Sequence, residues 1–482
     1  MKISALVYAA AISLAVGLSG QAQAGEQTIE TRIGPLEFTH DFENGYPTLE
    51  TQQKLLDEMD FQCATQAYIW GIPIVSFAQW QRAHEGTFGA KSGDIVLYRD
   101  LVDKYGLLTA NATTPYALSF INLEETGPIV IDMPDAQVRG ATHSMWQIGI
   151  TQMTEPGRYV FHAPGTESPV VKDAKVFETP TNSIFFGIRL LAKDEAQQTK
   201  DLAGIKIYPL SAGDGEHETK VIEVDHRKWQ GWQPRGLEYF EVLADILLRE
   251  PVAERDRFFM AMLKPLGIEK GKPFEPDDHQ KKILTEAALV GEAMAKANDF
   301  FNPRLEQSHY ADGSKWEIAT TSPVDQRWKF YDALDGRAAW FYEAVTNDEA
   351  MQSNKPGWGQ IYLGSYRDAD NDWLDGGTNY VLNVPANVPA AEFWSLTVYD
   401  IDTRALIRND QKVADKSSRM DLDVNDDGSV TLYIGPDEPK SGAKNWIPTV
   451  PGKAWFPYFR FYSPTEAYFD RSWVLPDIEK RR

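Results

Sequence analysis

Cysteine is almost absent. Cys63 is the single one in 482 residues, which excludes an intramolecular disulfide. A chain this long can stabilise itself by burial alone, and Cys63, in Phe61-Gln62-Cys63-Ala64, reads as a buried small apolar residue rather than a nucleophile. Clustered basic charge is also missing. The net charge is −22 and is spread along the chain, which excludes nucleic acid and an anionic membrane as partners because both need grouped Lys and Arg. The eight histidines never fall at the three- to five-residue spacing of a zinc site. No Gly-x-Ser-x-Gly elbow occurs. The 70 acidic residues make almost any carboxylate pairing for glycoside cleavage possible, so none can be singled out.

Long apolar runs are lacking except at the start. Lys2 is followed by an apolar stretch from Ala5 to Leu18 and by Ser19-Gly20-Gln21-Ala22-Gln23-Ala24. A charged residue, about 14 apolar or small residues and a small-x-small ending are the parts of a cleavable secretory signal. The run is shorter than the roughly 20 residues that span a bilayer. Residues 1–24 are therefore expected to be a signal peptide cleaved near Ala24, giving a periplasmic or secreted protein.

Aromatic residues, by contrast, are abundant: 12% of the chain, with 14 Trp. They fit either a β-rich core or an aromatic-lined pocket. An extended lead (25–47) precedes a helix whose buried face reads as Leu55, Leu56, Met59, Cys63, Ala67 and Trp70, ended by Gly71-Ile72-Pro73. Strands follow at Ile129–Met133, Tyr159–Phe161, Ile184–Leu190 and Ile205–Tyr208, so residues 48–225 form a first domain. Residues 236–347 read as helical, with stripes at Leu237/Phe240/Leu243/Ile246/Leu247, Ile283/Ala287/Val290/Met294/Ala297 and Trp328/Tyr331/Leu334/Ala338/Phe341. Residues 357–482 return to strands at Phe393–Asp400, Val430–Ile434 and Trp455–Tyr462, where Pro457 marks an edge or a bulge. The expected fold is α+β, with two antiparallel β-sandwich or jelly-roll-like lobes and a helical segment between them.

Several short motifs lead nowhere. Gly86-Thr87-Phe88-Gly89-Ala90-Lys91-Ser92 has Ala90 where a phosphate loop needs Gly. Asp423, Asn425 and Asp427 match the first half of a calcium loop, but Ile434 stands where a bidentate Glu belongs. They serve equally as a hairpin turn. Asp368, Asp370 and Asp372 lack the following Gly. Calcium is not expected, and no cofactor is.

Two polar clusters carry more chemistry. Thr109-Ala110-Asn111-Ala112-Thr113-Thr114-Pro115-Tyr116 packs an amide, hydroxyls and a phenol into one loop before a strand. Asn445-Trp446-Ile447-Pro448-Thr449 through Pro451-Gly452-Lys453 to Arg460 mixes aromatics, an amide and cations. Asn111, Thr113 and Tyr116 are candidate ligand-binding groups, Trp146 a stacking wall and Arg460 an anion partner. Stapling of turns is the competing explanation for both clusters.

The stretch from Leu108 to Tyr116, with Gly127-Pro128 and Ile129-Val130-Ile131, resembles the bacterial domain-of-unknown-function family numbered 1254. The stretch from Phe393 to Asp400, with Asp427-Gly428-Ser429, Asn445–Thr449, Pro451-Gly452-Lys453, Trp455-Phe456, Arg460-Phe461-Tyr462 and Trp473–Ile478, resembles the family numbered 1214. The pair usually occurs in this order, separated by helices. The resemblance implies a β-sandwich or jelly-roll-like architecture in each lobe and implies no reaction. Many relatives carry an Asp and a Gly-, Asp- and Lys-rich loop after the position of Trp146; here Gln147–Pro156 is shorter, so any site that loop serves is altered.

From these residues the expected activity is a cofactor-independent hydrolase or lyase acting on a small polar or saccharide-like substrate. The alternative is a periplasmic ligand-binding or interaction module without catalysis. A general acid or base sharing a pocket with Asn111 and Tyr116 would separate the two.

Overall fold

A computed structural model describes residues 26–301, 305 and 308–481; the segment expected to be the signal peptide lies outside them. Two compact units divide at Asp60/Phe61. In the first, strands β1 (Gln27–Thr31) and β2 (Gly34–Phe38) form an antiparallel hairpin, and the lead continues to the start of helix α1 (Leu49–Gly86).

The second unit contains both lobes. Along the chain it runs through β3 (Ile95–Tyr98), β4 (Tyr116–Asn122), α2 (Leu123–Thr126), β5 (Ile129–Met133), β6 (Val138–Ser144), β7 (Gly149–Gln152) and β8 (Gly157–His162). There follow β9 (Ala174–Glu178), β10 (Ser183–Leu190), α3 (Glu195–Ala203), β11 (Lys206–Pro209) and β12 (Val221–Glu223). Helices α4 (Leu237–Arg249), α5 (Arg257–Leu263), α6 (Asp278–Phe300) and, after β13 (Glu317–Ile318), α7 (Leu334–Glu343) come next. The last stretch holds β14 (Gln360–Gly364), β15 (Tyr380–Val384), β16 (Ala390–Asp400), β17 (Asp415–Ser417), β18 (Val430–Gly435), β19 (Trp446–Pro448), β20 (Trp455–Pro464), α8 (Glu466–Phe469) and β21 (Glu479–Lys480).

The fold class is α+β with β-rich lobes. The first lobe has a six-stranded sheet, ordered β12-β3-β4-β10-β6-β7, and a four-stranded sheet, β11-β5-β8-β9. The second has a five-stranded sheet, β13-β14-β20-β16-β17, and a four-stranded one, β19-β18-β15-β21. The sheets are mixed rather than purely antiparallel, because β12/β3, β8/β9 and β18/β19 pair in parallel. In each case the connecting chain is long enough to bring the second strand back in the same direction.

Alternation decides what each face does. In β10, Ile184, Phe186, Ile188 and Leu190 enter the core between the two sheets of the first lobe. Phe185 faces the other way, into the core shared with α1, α4, α6 and the second lobe. In β20, Phe459 stacks on Trp394 at 5.4 Å, and Phe461 meets Trp473 at 5.7 Å. The alternate residues Tyr458, Arg460 and Tyr462 line a cavity.

Helix α1 does not stop at Gly71-Ile72-Pro73 but runs through to Gly86 with Pro73 inside it. Proline ordinarily breaks a helix by removing a hydrogen bond. Here tertiary contacts hold the turn: the carbonyls of Tyr68, Trp70 and Pro73 accept from Tyr239 Oη at 2.6 Å, Arg337 Nη2 at 3.0 Å and Gln147 Nε2 at 2.7 Å. The early part of the expected stripe is not buried, since Leu56 and Met59 are exposed and Cys63 is half-buried. Helix α7 likewise begins only at Leu334; Trp328 and Tyr331 lie before it, exposed. Their aromatic spacing suggests a helix, but Asp332 and Ala333 bond back to the loop instead. Pro457 sits in the central strand β20, opposite Val398 and one residue past the last pairing with β14, so it is locally at an edge and no ladder bond is lost.

Candidate functional site

A cavity of about 480 Å³ lies where the six-stranded sheet meets β14, β16 and β20 of the second lobe. Its walls include the aromatic residues Tyr116, Phe185, Trp340, Tyr362, Tyr458 and Tyr462. Gly187 is also on the lining; a side chain there would press on the Phe185 ring at 2.7 Å, so the glycine makes room for that ring.

The Asn111 loop is seated across the interface. Asn111 Nδ2 donates to Tyr462 Oη, while its Oδ1 accepts from the Thr113 amide at 2.6 Å. The Asn111 amide donates to Tyr116 Oη at 3.1 Å. The Thr109 carbonyl accepts from Arg460 Nη2 at 2.8 Å, its amide donates to the Arg404 carbonyl, and Tyr399 Oη donates to the Ala110 carbonyl at 2.8 Å. Thr109 has φ +35°, a left-handed value that costs a β-branched residue free energy. Thr346 (+63°) and Ser463 (+53°), also on the lining, share this feature. Such backbone strain concentrates at functional sites.

Asn111, Tyr116 and Arg460 thus converge on one cavity, and Thr113 and Trp146 do not line it. Thr113 Oγ1 turns to Asp415 Oδ2 at 3.2 Å, behind the loop. Beside it the buried Lys104 donates to the Thr114 and Ala112 carbonyls, and burial pulls its ammonium down to about 8. Trp146 packs 4.9 Å from Trp70 with the Arg337 guanidinium over its ring, inside the core. Asn445 staples a turn, its amide bonding Asp423 and Thr431 backbone.

Sequence reasoning misses a second polar group in the cavity. His143 Nε2 lies 3.2 Å from Asp348 Oδ2, and both residues are buried on the lining. Asp348 Oδ1 accepts the Ala350 and Met351 amides at 2.9 and 3.1 Å. Burial disfavours its charge, but the His143 contact, the Met351 amide and Gln152 outweigh burial and hold the carboxyl below its usual range. His143 Nδ1 is buried and has no hydrogen-bond partner among the described residues. Gln152 and Thr154, from the shortened segment after Trp146, also reach the cavity.

The cavity holds two further arginines. Arg139 pairs with Glu392, which also accepts from Ser463 Oγ at 2.8 Å. Arg189 Nη1 reaches Gln360 Oε1 at 3.4 Å.

The acidic loops explain themselves. Lys480 Nζ sits 3.2 Å from Asp368 and 3.4 Å from Asp370 and also bonds Asp372, filling the space between the carboxylates. Asp427 Oδ1 accepts from Ser429, Asn425 bonds Ser429 and Thr431, and Asp423 meets Lys444 at 3.0 Å. Asp100, Asp103 and His226 converge as ligand-type groups, but hydrogen bonds among themselves engage them. Gly86–Ser92 follows a helix, not a strand.

Fold and site together define a two-lobed β-rich protein with an arginine-bearing cavity, partly lined by aromatic residues, between its lobes. Residues 94–209 match the family described as Protein of unknown function (DUF1254), and residues 359–466 match Protein of unknown function (DUF1214). The two matches stand in the order its motifs indicate. Among solved structures it is similar to the VPA0106 protein from Vibrio parahaemolyticus, at 19% identity and TM-score 0.52, over 88% of this chain and 100% of that one. That likeness is one of fold. An uncharacterised protein from Burkholderia cenocepacia aligns over 90% of this chain and 97% of its own, at 12% identity and TM-score 0.42. No curated protein matches.

Proposed function

We propose that this is an exported, cofactor-independent hydrolase or lyase that turns over a small polar substrate in the cavity between the lobes. The His143–Asp348 pair carries this reading, because it supplies a buried base with its orienting carboxylate in the same cavity as Asn111 and Tyr116. His143 takes the role of proton acceptor, and Asp348 orients its imidazole and stabilises the imidazolium that forms. Asn111, Tyr462 and Arg460 position the substrate.

The test is a turnover screen with esters, lactones and hydroxy acids. His143→Gln is expected to lower the rate by about 10²–10⁴-fold while ligand-induced thermal stabilisation persists, and Asp348→Asn to lower it as well. Equal rates in native protein and His143→Gln would remove the base from the mechanism. Ligand binding without turnover across the panel would favour a binding module, the second reading that the cavity admits.

Export is proposed from Lys2, the apolar run and Ala22-Gln23-Ala24. Among the described residues no helix is long and apolar enough to cross a membrane. Intact mass of the protein recovered from a secreting host is expected to correspond to a chain starting at Gly25; retention of residues 1–24 contradicts the proposal.

A further inference from the structure

The charges lining the cavity do not balance. Arg139 is matched by Glu392, and Asp348 is taken up by His143 and two backbone amides. That leaves Arg189 and Arg460. Neither has a carboxylate within ion-pair distance among the described residues; Asp348 acts on Arg189, and Asp415 on Arg460, only through space.

Arg189 stands in β10 at the position where alternation turns its side chain away from the sandwich core. It is half-buried, its guanidinium lies 5.7 Å from the Tyr462 ring, and it reaches Gln360 only at 3.4 Å. Arg460 is 3% exposed. One of its nitrogens is spent on the Thr109 carbonyl, and Nη1 is buried with no partner among the described residues. Its guanidinium sits 5.2–5.6 Å from the rings of Tyr362, Tyr399 and Tyr458, which solvate a cation only partly. Two buried or half-buried guanidinia without counter-ions are costly unless something anionic joins them. Arginine's planar fork is matched to a carboxylate.

We infer that the cavity takes a small organic carboxylate, its acid group held between Arg189 and Arg460 and its apolar or aromatic body packed among Tyr116, Phe185, Tyr362 and Tyr458. The inference rests on reading this cavity as the ligand site. The volume of about 480 Å³ admits a single small molecule and not an extended saccharide. Only the anionic headgroup need be fixed; the walls make few directional demands on the rest.

The test is calorimetric titration of the full chain with benzoate and 3-phenylpropionate against their neutral amides and inorganic phosphate. The carboxylates are expected to bind at least about tenfold more tightly than the amides, since loss of a charge-assisted hydrogen bond is worth at least that factor. Arg189→Gln should abolish the difference, and Arg189→Lys should restore part of it. Arg189 is the informative variant because its one hydrogen bond is long, whereas Arg460→Met also releases the Thr109 carbonyl; near-ultraviolet circular dichroism checks that each variant is folded. Equal binding of acid and amide, unchanged discrimination in Arg189→Gln, preferential binding of phosphate, or no binding by either carboxylate each overturns the inference. Carboxylate binding by the native protein with no turnover of any substrate in the screen leaves this inference standing and removes the enzyme. Turnover of neutral substrates that depends on His143 does the reverse.

Discussion

The variant Asp299→Asn/Glu343→Gln is expected to gain stability relative to the native protein as pH rises, and to match it in acid. Both carboxyls are buried, bonded to one another, and joined by Tyr366 Oη at 3.0 Å from Glu343 and by Tyr458 Oη. Burial is the largest influence and pushes both acids up, Glu343 to about 7, with Glu317 adding repulsion through space. A buried acid whose folded pKa is raised adds no penalty below its unfolded value of 4.5 and destabilises as pH climbs through about 7. His84 works in the opposite sense. Burial lowers it to about 3, so its share of stability is present above its ordinary 6.5 and is lost as pH falls towards 3. The quantity to measure is therefore the difference between variant and native protein in urea unfolding at pH 4.5, 6 and 8. A constant difference across that range would mean that the pair holds no extra proton.

Trp70→Ala is expected to be the most damaging single substitution, costing about 3–5 kcal/mol. Trp70 is 1% exposed, stacks on Phe259 at 5.0 Å and packs 4.9 Å from Trp146. Its indole Nε1 donates to Asp256 Oδ1 at 2.9 Å. Truncation leaves both a void and a buried carboxyl without its donor. Trp70→Phe keeps most of the volume and loses the hydrogen bond, so a cost of about 1–3 kcal/mol is expected. Neither ring lines the cavity, so ligand binding by folded Trp70→Phe should match that of the native protein. A ligand affinity that falls with Trp70→Phe would show that this core and the cavity are coupled.

The two substitutions mark what sequence could and could not reveal. Strands such as Ile129–Met133 and Ile184–Leu190 are legible because apolar residues at alternate positions report burial of one face directly. The continuation of α1 past Pro73 is not legible, because the groups that rescue it, Tyr239, Arg337 and Gln147, come from three distant segments. By residue type Trp146 reads as a stacking wall, and only the fold reveals that it faces Trp70. The cavity was half legible. Asn111 and Tyr116 announce themselves as a polar cluster, and Arg460 stands out in an aromatic strand. His143 and Asp348 lie 205 residues apart and neither is remarkable locally. Arg189 did carry a signal: a charge on the polar side of an otherwise apolar strand, beside Gly187.

Strand β20 has a consequence for how the protein can vary. Its even-numbered residues from Tyr458 to Tyr462 furnish the cavity, and its odd-numbered ones, Phe459 and Phe461, furnish the core of the second lobe. Deleting or inserting one residue there would exchange the two sets and place a guanidinium among Trp316, Trp394 and Trp473. New ligand preferences are therefore open to this chain through point replacements at alternate positions of the strand, and closed to it through changes in the strand's length.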